Sequence, residues 1–290
     1  MKVGFVTIIG EPNVGKSTLL NHLINFDVAI TSPMIQTTRN QIKGILTNEQ
    51  AQIIFIDTPG IHKAQHKLGE TLNSTAFRAL KDVELILLLT PINKPWDNFS
   101  NILEKINLEK TILVMTKIDL VKEQSILDEK AIEFKNLGFK TIVAVSNKID
   151  QSIQVLIDAI IEKLPLGYRF YDDDNVTDVS LRFMTKEIIR ESVISHIFQE
   201  VPHSLAVIID DFIETNNEEK KVKIQATIFV ERESQKGILI GKNGQTIKKI
   251  GTDARQKLIK LLDEPVHLEL KVKVNKNWTR DKKQIKKMGY

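Results

Sequence analysis

The sequence predicts a mostly parallel α/β domain over residues 1–166, then a linker over 167–180 and a smaller α+β domain over 181–290. Three observations predict it. A glycine-rich loop stands between a strand and a helix near the start, strands then alternate with helices, and the pattern changes after residue 180 to helix, strand, strand, helix, helix, strand.

The loop is Gly10-Glu11-Pro12-Asn13-Val14-Gly15-Lys16-Ser17, a match to G-x-x-x-x-G-K-[ST]. Lys2 to Ile9 before it reads as a buried strand and Thr18 to Ile24 after it as a helix, the context this motif requires. Glycines let the backbone close around an anion, and exposed N–H groups at the helix start favour negative charge. Lys16 reaches outer phosphates and Ser17 can ligate magnesium.

Two strands follow, Gln41 to Thr47 and Ala51 to Asp57, joined by the polar turn Asn48-Glu49-Gln50. The second ends in Asp57-Thr58-Pro59-Gly60, where the carboxylate can hold magnesium through water and the Gly60 N–H can meet a γ-phosphate. Between loop and strand lies Gln36-Thr37-Thr38-Arg39-Asn40. A threonine here, Thr38 before Thr37, completes the magnesium shell when the γ-phosphate is present, which makes the segment a candidate switch.

Helix near Glu70 to Lys81, strand Leu85 to Thr90, helix near Phe99 to Ile106 and strand Thr111 to Thr116 come next. A helix around Ser125 to Asn136, strand Thr141 to Ser146 and helix Ile153 to Leu164 complete the domain. Strands separated by helices argue for a parallel sheet covered on both faces, with ligands at the carboxyl ends of the strands. At one such end stands Thr116-Lys117-Ile118-Asp119. The Asp119 carboxylate can accept from guanine N1–H and its exocyclic amine, whereas adenine would leave it facing a ring acceptor. At the next, a backbone N–H within Ser146-Asn147-Lys148 could contact guanine O6. GTP is therefore expected rather than ATP.

Composition bounds the reading. The 290 residues carry no cysteine, so disulfides and thiolate metal sites are excluded, and the six histidines show no ligand spacing. The longest apolar run, Leu85 to Leu89, is far too short to span a bilayer, no signal segment precedes the first strand, and a soluble protein is expected. A net charge of +4 hides an asymmetry: Ser234 to Tyr290 hold fifteen Lys and Arg against five acids. Such a region suits a polyanion or an anionic membrane, or is a solvated surface.

Tyr171-Asp172-Asp173-Asp174-Asn175 is not an EF-hand loop, because Thr177 and Phe183 stand where glycine and glutamate are needed; an exposed acidic linker is expected. In the second domain a helix Leu181 to Phe198 and strands Ser204 to Phe212 and Lys221 to Val230 precede Lys236 to Gly251. That run contains the turn Gly241-Lys242-Asn243-Gly244 and opens a helix with Ile247, Ile250, Ala254, Leu258 and Leu261 on one face; strand Val266 to Val274 follows. Gly241 and Gly244 let the backbone approach single-strand phosphates, and Lys242 adds charge. Framed this way the turn resembles that of a bacterial-type KH RNA-binding domain, with bases along Ile238, Ile240 and Ile247.

With G-x-P-N-V-G-K-S, Q-T-T-R, D-T-P-G-I-H, T-K-x-D, S-N-K, T-D-x-S-x-R-F and I-G-K-x-G in this order, the chain resembles the Era-like bacterial GTPases over nearly its whole length. The resemblance implies an α/β P-loop GTPase domain followed by an α+β type II KH domain. It implies that Gly10, Glu11, Pro12, Asn13, Val14, Gly15, Lys16 and Ser17 bind phosphates and that Gln36 to Asn40 form the first switch. Asp57, Thr58, Pro59, Gly60 and Ile61 would form the second switch, and Thr116, Lys117 and Asp119, with Ser146, would read the base. Ser17, Thr38 and Asp57 would hold Mg2+, and Ile240, Gly241, Lys242, Asn243, Gly244 and Lys248 would hold RNA. Thr116 departs from the usual asparagine and Asn147 from the usual alanine, which points to weaker guanine affinity with specificity kept by Asp119. Ile61 stands where many GTPases carry a water-orienting glutamine and can neither donate nor accept. Relatives with an apolar residue there recruit K+ near the asparagine that Asn13 matches, so Lys16, Asn13 and Thr38 are the expected catalytic residues. The implied partners are small-subunit ribosomal RNA near its 3′ end and the assembling small subunit, with peripheral contact to the inner membrane; a cytoplasmic monomer is expected. A regulatory or tRNA-modification GTPase with a protein-binding C-terminal domain is the alternative, and no acceptor pocket or lid signals a P-loop kinase.

Overall fold

β1 (Lys2–Gly10) lies inside a six-stranded sheet, so its apolar and β-branched run is buried almost throughout. The computed structural model describes residues 1–31, 37–64, 66–93, 99–121, 123–197, 204–215 and 221–290. They fall into two units: Met1–Ala29, Thr38–Gln65 and Gly69–Asp178, then Ile30–Thr37, His66–Leu68 and Val179–Tyr290.

After β1 come α1 (Lys16–Ile24), β2 (Ile42–Thr47), β3 (Ala51–Asp57), α2 (Lys67–Arg78), β4 (Leu85–Pro91) and α3 (Phe99–Leu103). β5 (Thr111–Thr116), α4 (Gln124–Asn136), β6 (Thr141–Ala144) and α5 (Asp150–Lys163) follow. The predicted alternation holds. α1 begins two residues earlier than its apolar pattern suggests, because left-handed Gly15 is its N-cap and Lys16 already takes helical geometry. α3 stops at Leu103, short of the expected Ile106. Strand order is β2-β3-β1-β4-β5-β6, with β2 and β3 antiparallel and the other neighbours parallel. The carboxyl ends of β1, β3, β5 and β6 therefore share one edge, which gathers four sequence-distant motifs.

Residues 167–178, anticipated as an exposed linker, belong to this first unit. Gln52, fully buried in β3, explains why: its Oε1 accepts from the Phe170 and Tyr171 N–H groups (2.7 and 3.1 Å) and its Nε2 donates to the Tyr171 carbonyl (2.8 Å). Farther along, Ile45 N–H donates to the Val176 carbonyl and the Thr177 hydroxyl to the Lys43 carbonyl. The exposed, acidic character holds, but the backbone is a strap bonded to β2 and β3.

The second unit contains α6 (Leu181–His196), β7 (Ala206–Thr215), β8 (Lys221–Val230), α7 (Glu233–Ile240), α8 (Gln245–Leu262) and β9 (Val266–Val274). The expected helix end at Phe198 lies outside the described residues. Strand order is β7-β8-β9, antiparallel then parallel. Ile250, Ala254 and Leu258 of α8 are fully buried at four-residue spacing beside Ile189, Val193, Ile224, Ile228 and Leu239. Within α6 the buried Arg190 guanidinium pairs with Glu187 at 2.5 Å, a charge pair that helical periodicity alone does not reveal.

A further helix, α9 (Lys282–Lys287), is hidden in sequence by its lysines. The Asp281 carboxylate caps it by accepting from the Lys283 and Gln284 N–H groups. Just before it, buried Trp278 donates its Nε1–H to the Ser204 carbonyl and stacks on Tyr290, so the chain end packs into this unit.

Candidate functional site

The loop after β1 and the end of β3 converge on one buried polar cluster. The Ser17 hydroxyl donates to Asp57 Oδ2 at 2.7 Å and lies 2.7 Å from the Thr38 hydroxyl, which itself donates to Asp57 Oδ2 at 3.2 Å. Asp57 is fully buried, and its Oδ1 has no hydrogen-bond partner among the described residues. A buried carboxylate oxygen without a donor, beside two hydroxyls, is a donor set that suits a hard divalent cation. Burial pushes the Asp57 carboxyl up, partly offset by the charge of Lys16 and by the two hydroxyls.

Lys16 is nearly as buried, and desolvation lowers its pKa from 10.5 to about 8 against the opposing pull of Asp57 and Glu11. Its Nζ donates to the Gly10 and Glu11 carbonyls (3.2 and 2.7 Å). Those bonds hold the ammonium in place beside the loop. Gly60 brings the end of β3 against the loop: a Cβ on it would lie 2.8 Å from Pro12 N and Cα, and the next N–H, of Ile61, donates to the Gly10 carbonyl. Ile61 is buried, as an apolar residue here requires. His62 is pinned by Asn73 of α2, which donates to its carbonyl at 2.7 Å and accepts from its N–H; sequence reading gave Asn73 no role. Of the expected first switch, Gln36 lies outside the described residues, Thr37 groups with the second unit, and Thr38 joins the cluster.

The strand ends expected to read the base lie on the same edge. The Thr116 hydroxyl, buried, donates to the Val14 carbonyl at 2.8 Å. Threonine therefore keeps the tie between base strand and phosphate loop that the departure from asparagine put in question. Lys117, in a left-handed conformation, donates to the Asn13 carbonyl at 2.8 Å. Asp119 Oδ1 accepts from the Ser146 hydroxyl and Oδ2 from Lys148 Nζ, both at 2.7 Å, and these donors, Lys148 foremost, hold its carboxyl below the ordinary value. The Ser146 N–H donates to Ser152 Oγ and the Lys148 N–H to Ser146 Oγ. Of the three amides considered for guanine O6, that leaves Asn147. Ser152 is a positioning residue that the sequence pattern did not single out.

In the second unit α7 ends at Gly241, whose φ is +71° and where a Cβ would lie 2.1 Å from Thr246 Oγ1. Gly244 also has positive φ, but a Cβ there meets nothing within 4 Å. Lys242, Asn243 and Lys248 are exposed, and Ile240 is half-buried. The isoleucines divide: Ile238 is 49% exposed, whereas Ile247 packs against the core.

Comparison with known proteins agrees with both halves. Residues 5–117 match the family model described as "50S ribosome-binding GTPase" and residues 200–279 that of the KH domain. The chain is 48% identical to GTPase Era of Mycoplasmopsis agalactiae, each covered in full, and 49% identical to that of Mycoplasmopsis pulmonis over 99% of both. Among solved structures it matches Era in complex with MgGDPNP and nucleotides 1506–1542 of 16S ribosomal RNA, and a variant Era of Aquifex aeolicus bound to GDP and AlF4−. For each the TM-score is 0.92 at 36% identity, covering 100% of this chain and 99% of the other. Sequence, fold and site thus place this chain in the GTPase Era family.

Proposed function

We propose that this protein is a GTP-hydrolysing switch that binds small-subunit ribosomal RNA near its 3′ end and assists assembly of that subunit. The observation that carries the nucleotide half is the cluster of Ser17, Thr38 and Asp57 within 2.7 to 3.2 Å around an unpartnered carboxylate oxygen. These three residues would hold Mg2+, which supplies charge neutralisation between the β- and γ-phosphates. Gly10 to Ser17 cradle the phosphates with backbone N–H groups, Lys16 carries positive charge to the outer ones, and Gly60 presents its N–H to the γ-phosphate. Thr116, Lys117, Asp119 and the Asn147 N–H orient the guanine. Breaking the Asp119–Lys148 pair is the local cost of presenting Asp119 to the base.

In-line attack of water then proceeds without a glutamine, because Ile61 cannot orient it. Asn13 would hold a K+ ion, which would supply further positive charge beside the phosphates, and Asn13, Lys16 and Thr38 form the proposed catalytic set. The output domain, residues 181–290, clamps single-stranded RNA with Ile240, Gly241, Lys242, Asn243, Gly244 and Lys248; residues 1–166 form the nucleotide domain. Relatives' structures with MgGDPNP and a 16S fragment, and with GDP and AlF4−, support this reading. A cytoplasmic monomer that touches the inner membrane only peripherally completes it, and among the described residues no helix is long and apolar enough to cross a membrane.

GTP turnover in matched NaCl and KCl tests the hydrolytic assignment. Faster turnover in K+ that Asn13→Ala abolishes is expected; equal rates in both salts and in the variant would rule the K+ assignment out. Binding of a 3′-terminal small-subunit RNA fragment by Gly241→Asp and Gly244→Asp tests the clamp, which fails if affinity is retained.

A further inference from the structure

The loop after β6 carries a side-chain amide that none of its neighbours satisfies. Asn147 is half-buried; its Oδ1 is buried without a hydrogen-bond partner, and its Nδ2, on the accessible side of the group, has none among the described residues. Native proteins leave few such groups unpaired, because a polar atom withdrawn from water without a partner is costly. The usual residue at this position in the resembled family, alanine, brings no such group to the loop.

The surrounding side-chain donors are engaged. The Thr116 hydroxyl donates to the Val14 carbonyl at 2.8 Å, with the Thr90 carbonyl at 3.4 Å as a second acceptor, and Lys117 Nζ donates to the Asn13 carbonyl. The Ser146 hydroxyl and Lys148 Nζ both serve Asp119. The Ser152 hydroxyl lies 2.6 Å from the Ile149 carbonyl and 3.1 Å from that of Ser146. The loop is also closed through its backbone: Ile149 N–H donates to the Ser146 carbonyl at 3.0 Å and Ser152 N–H to the Ile149 carbonyl at 2.9 Å. Asn147 therefore offers a free backbone N–H and a free side-chain donor from one fixed turn.

Guanine has a group to match the second donor. Asp119 accounts for N1–H and the exocyclic amine, and the Asn147 N–H for O6. N7 lies beside O6 on the same edge and is likewise an acceptor. A side-chain N–H from the residue that meets O6 complements it, whereas Oδ1 turned that way would set acceptor against acceptor.

We propose that the Asn147 side chain is a specificity-determining contact, its Nδ2 donating to guanine N7 while its backbone N–H donates to O6. This rests on the placement of that N–H at O6 under the functional reading above. The test is calorimetric titration of the nucleotide-free full chain and of Asn147→Ala with GDP, 7-deaza-GDP and ADP. The 7-deaza nucleotide replaces N7 by C–H and leaves O6, N1–H and the amine in place. The parent should bind GDP about fivefold more tightly than 7-deaza-GDP, as one neutral hydrogen bond requires. Asn147→Ala should lose about fivefold on GDP and bind the two guanine nucleotides within about twofold of each other. Equal binding of the two by the parent overturns the proposal, and does so without any variant. A preference for GDP that survives in Asn147→Ala overturns it too: a merely structural role weakens both nucleotides alike, and Lys148 released from Asp119 would then be the donor to N7. A parent that binds ADP as well as GDP sinks the guanine reading itself, whereas one that prefers GDP to ADP but ignores N7 sinks only the side-chain contact.

Discussion

Lys16 carries a charge that the nucleotide-free fold disfavours, and Lys16→Met exposes how much. Its pKa of about 8 stands about 2.5 units below the value of 10.5 for an unburied lysine. A depressed lysine releases its proton in the native state first, so between pH 8 and 10.5 the unfolded chain binds more protons and native stability rises with pH. Integrating that linkage from pH 7 to 9.5 gives a gain of about 2 kcal/mol, at 1.36 kcal/mol per unit once the group titrates. Lys16→Met lacks this gain, although it also strips the Gly10 and Glu11 carbonyls of a donor, a cost independent of pH. The comparison is therefore of parent against variant at the two pH values, in which titrating groups other than Lys16 and its charge partners Asp57 and Glu11 cancel. Urea titration read by hydrogen exchange at β1 and β3 amides confines the measurement to the unit that holds Lys16. The same pKa predicts that GTP affinity of the parent falls about tenfold from pH 7 to 9, because bound phosphates require the ammonium. A parent-minus-variant stability difference constant to within about 0.5 kcal/mol between pH 7 and 9.5 would refute the burial argument.

Two other perturbations separate residues that look alike in sequence. Thr116→Val keeps the shape but leaves the Val14 carbonyl without its donor, and should weaken GTP binding by about 1 to 2 kcal/mol in calorimetry, while Thr116→Ser stays near the parent. Gly241→Ala drives a Cβ into Thr246, so thermal unfolding of the second unit should shift down by far more than in Gly244→Ala, where only a left-handed penalty of about 1 kcal/mol applies; equal shifts would contradict the turn geometry.

The candidate nucleotide site was legible because its chemistry is local in sequence. A phosphate loop needs its glycines, lysine and serine within eight positions, and Asp57, Thr116 to Asp119 and Ser146 each sit at a strand end that the apolar pattern marks. The isoleucines beside the Gly241–Gly244 turn were not resolved that way, since Ile238 and Ile247 are equally apolar and only packing sends one to solvent and the other against the core. Asn73 and Ser152 escaped notice because polar residues on helices have no distinctive pattern until their partners are known.

By itself the sequence determined the order of the elements before the last helix, a mostly parallel sheet, the strand-end carboxylate expected to read guanine and the glycine turn, all encoded by spacing of a few residues. Tertiary structure decided what depends on distant pairs. Thr116 reaches a carbonyl 102 residues away, Gln52 turns an acidic linker into a bonded strap, and burial beside Asp57 lowers the pKa of Lys16. The physical reason is the same in each case. Hydrogen-bond satisfaction and desolvation are properties of the surroundings a side chain acquires on folding, and residue type records only what it could accept or donate.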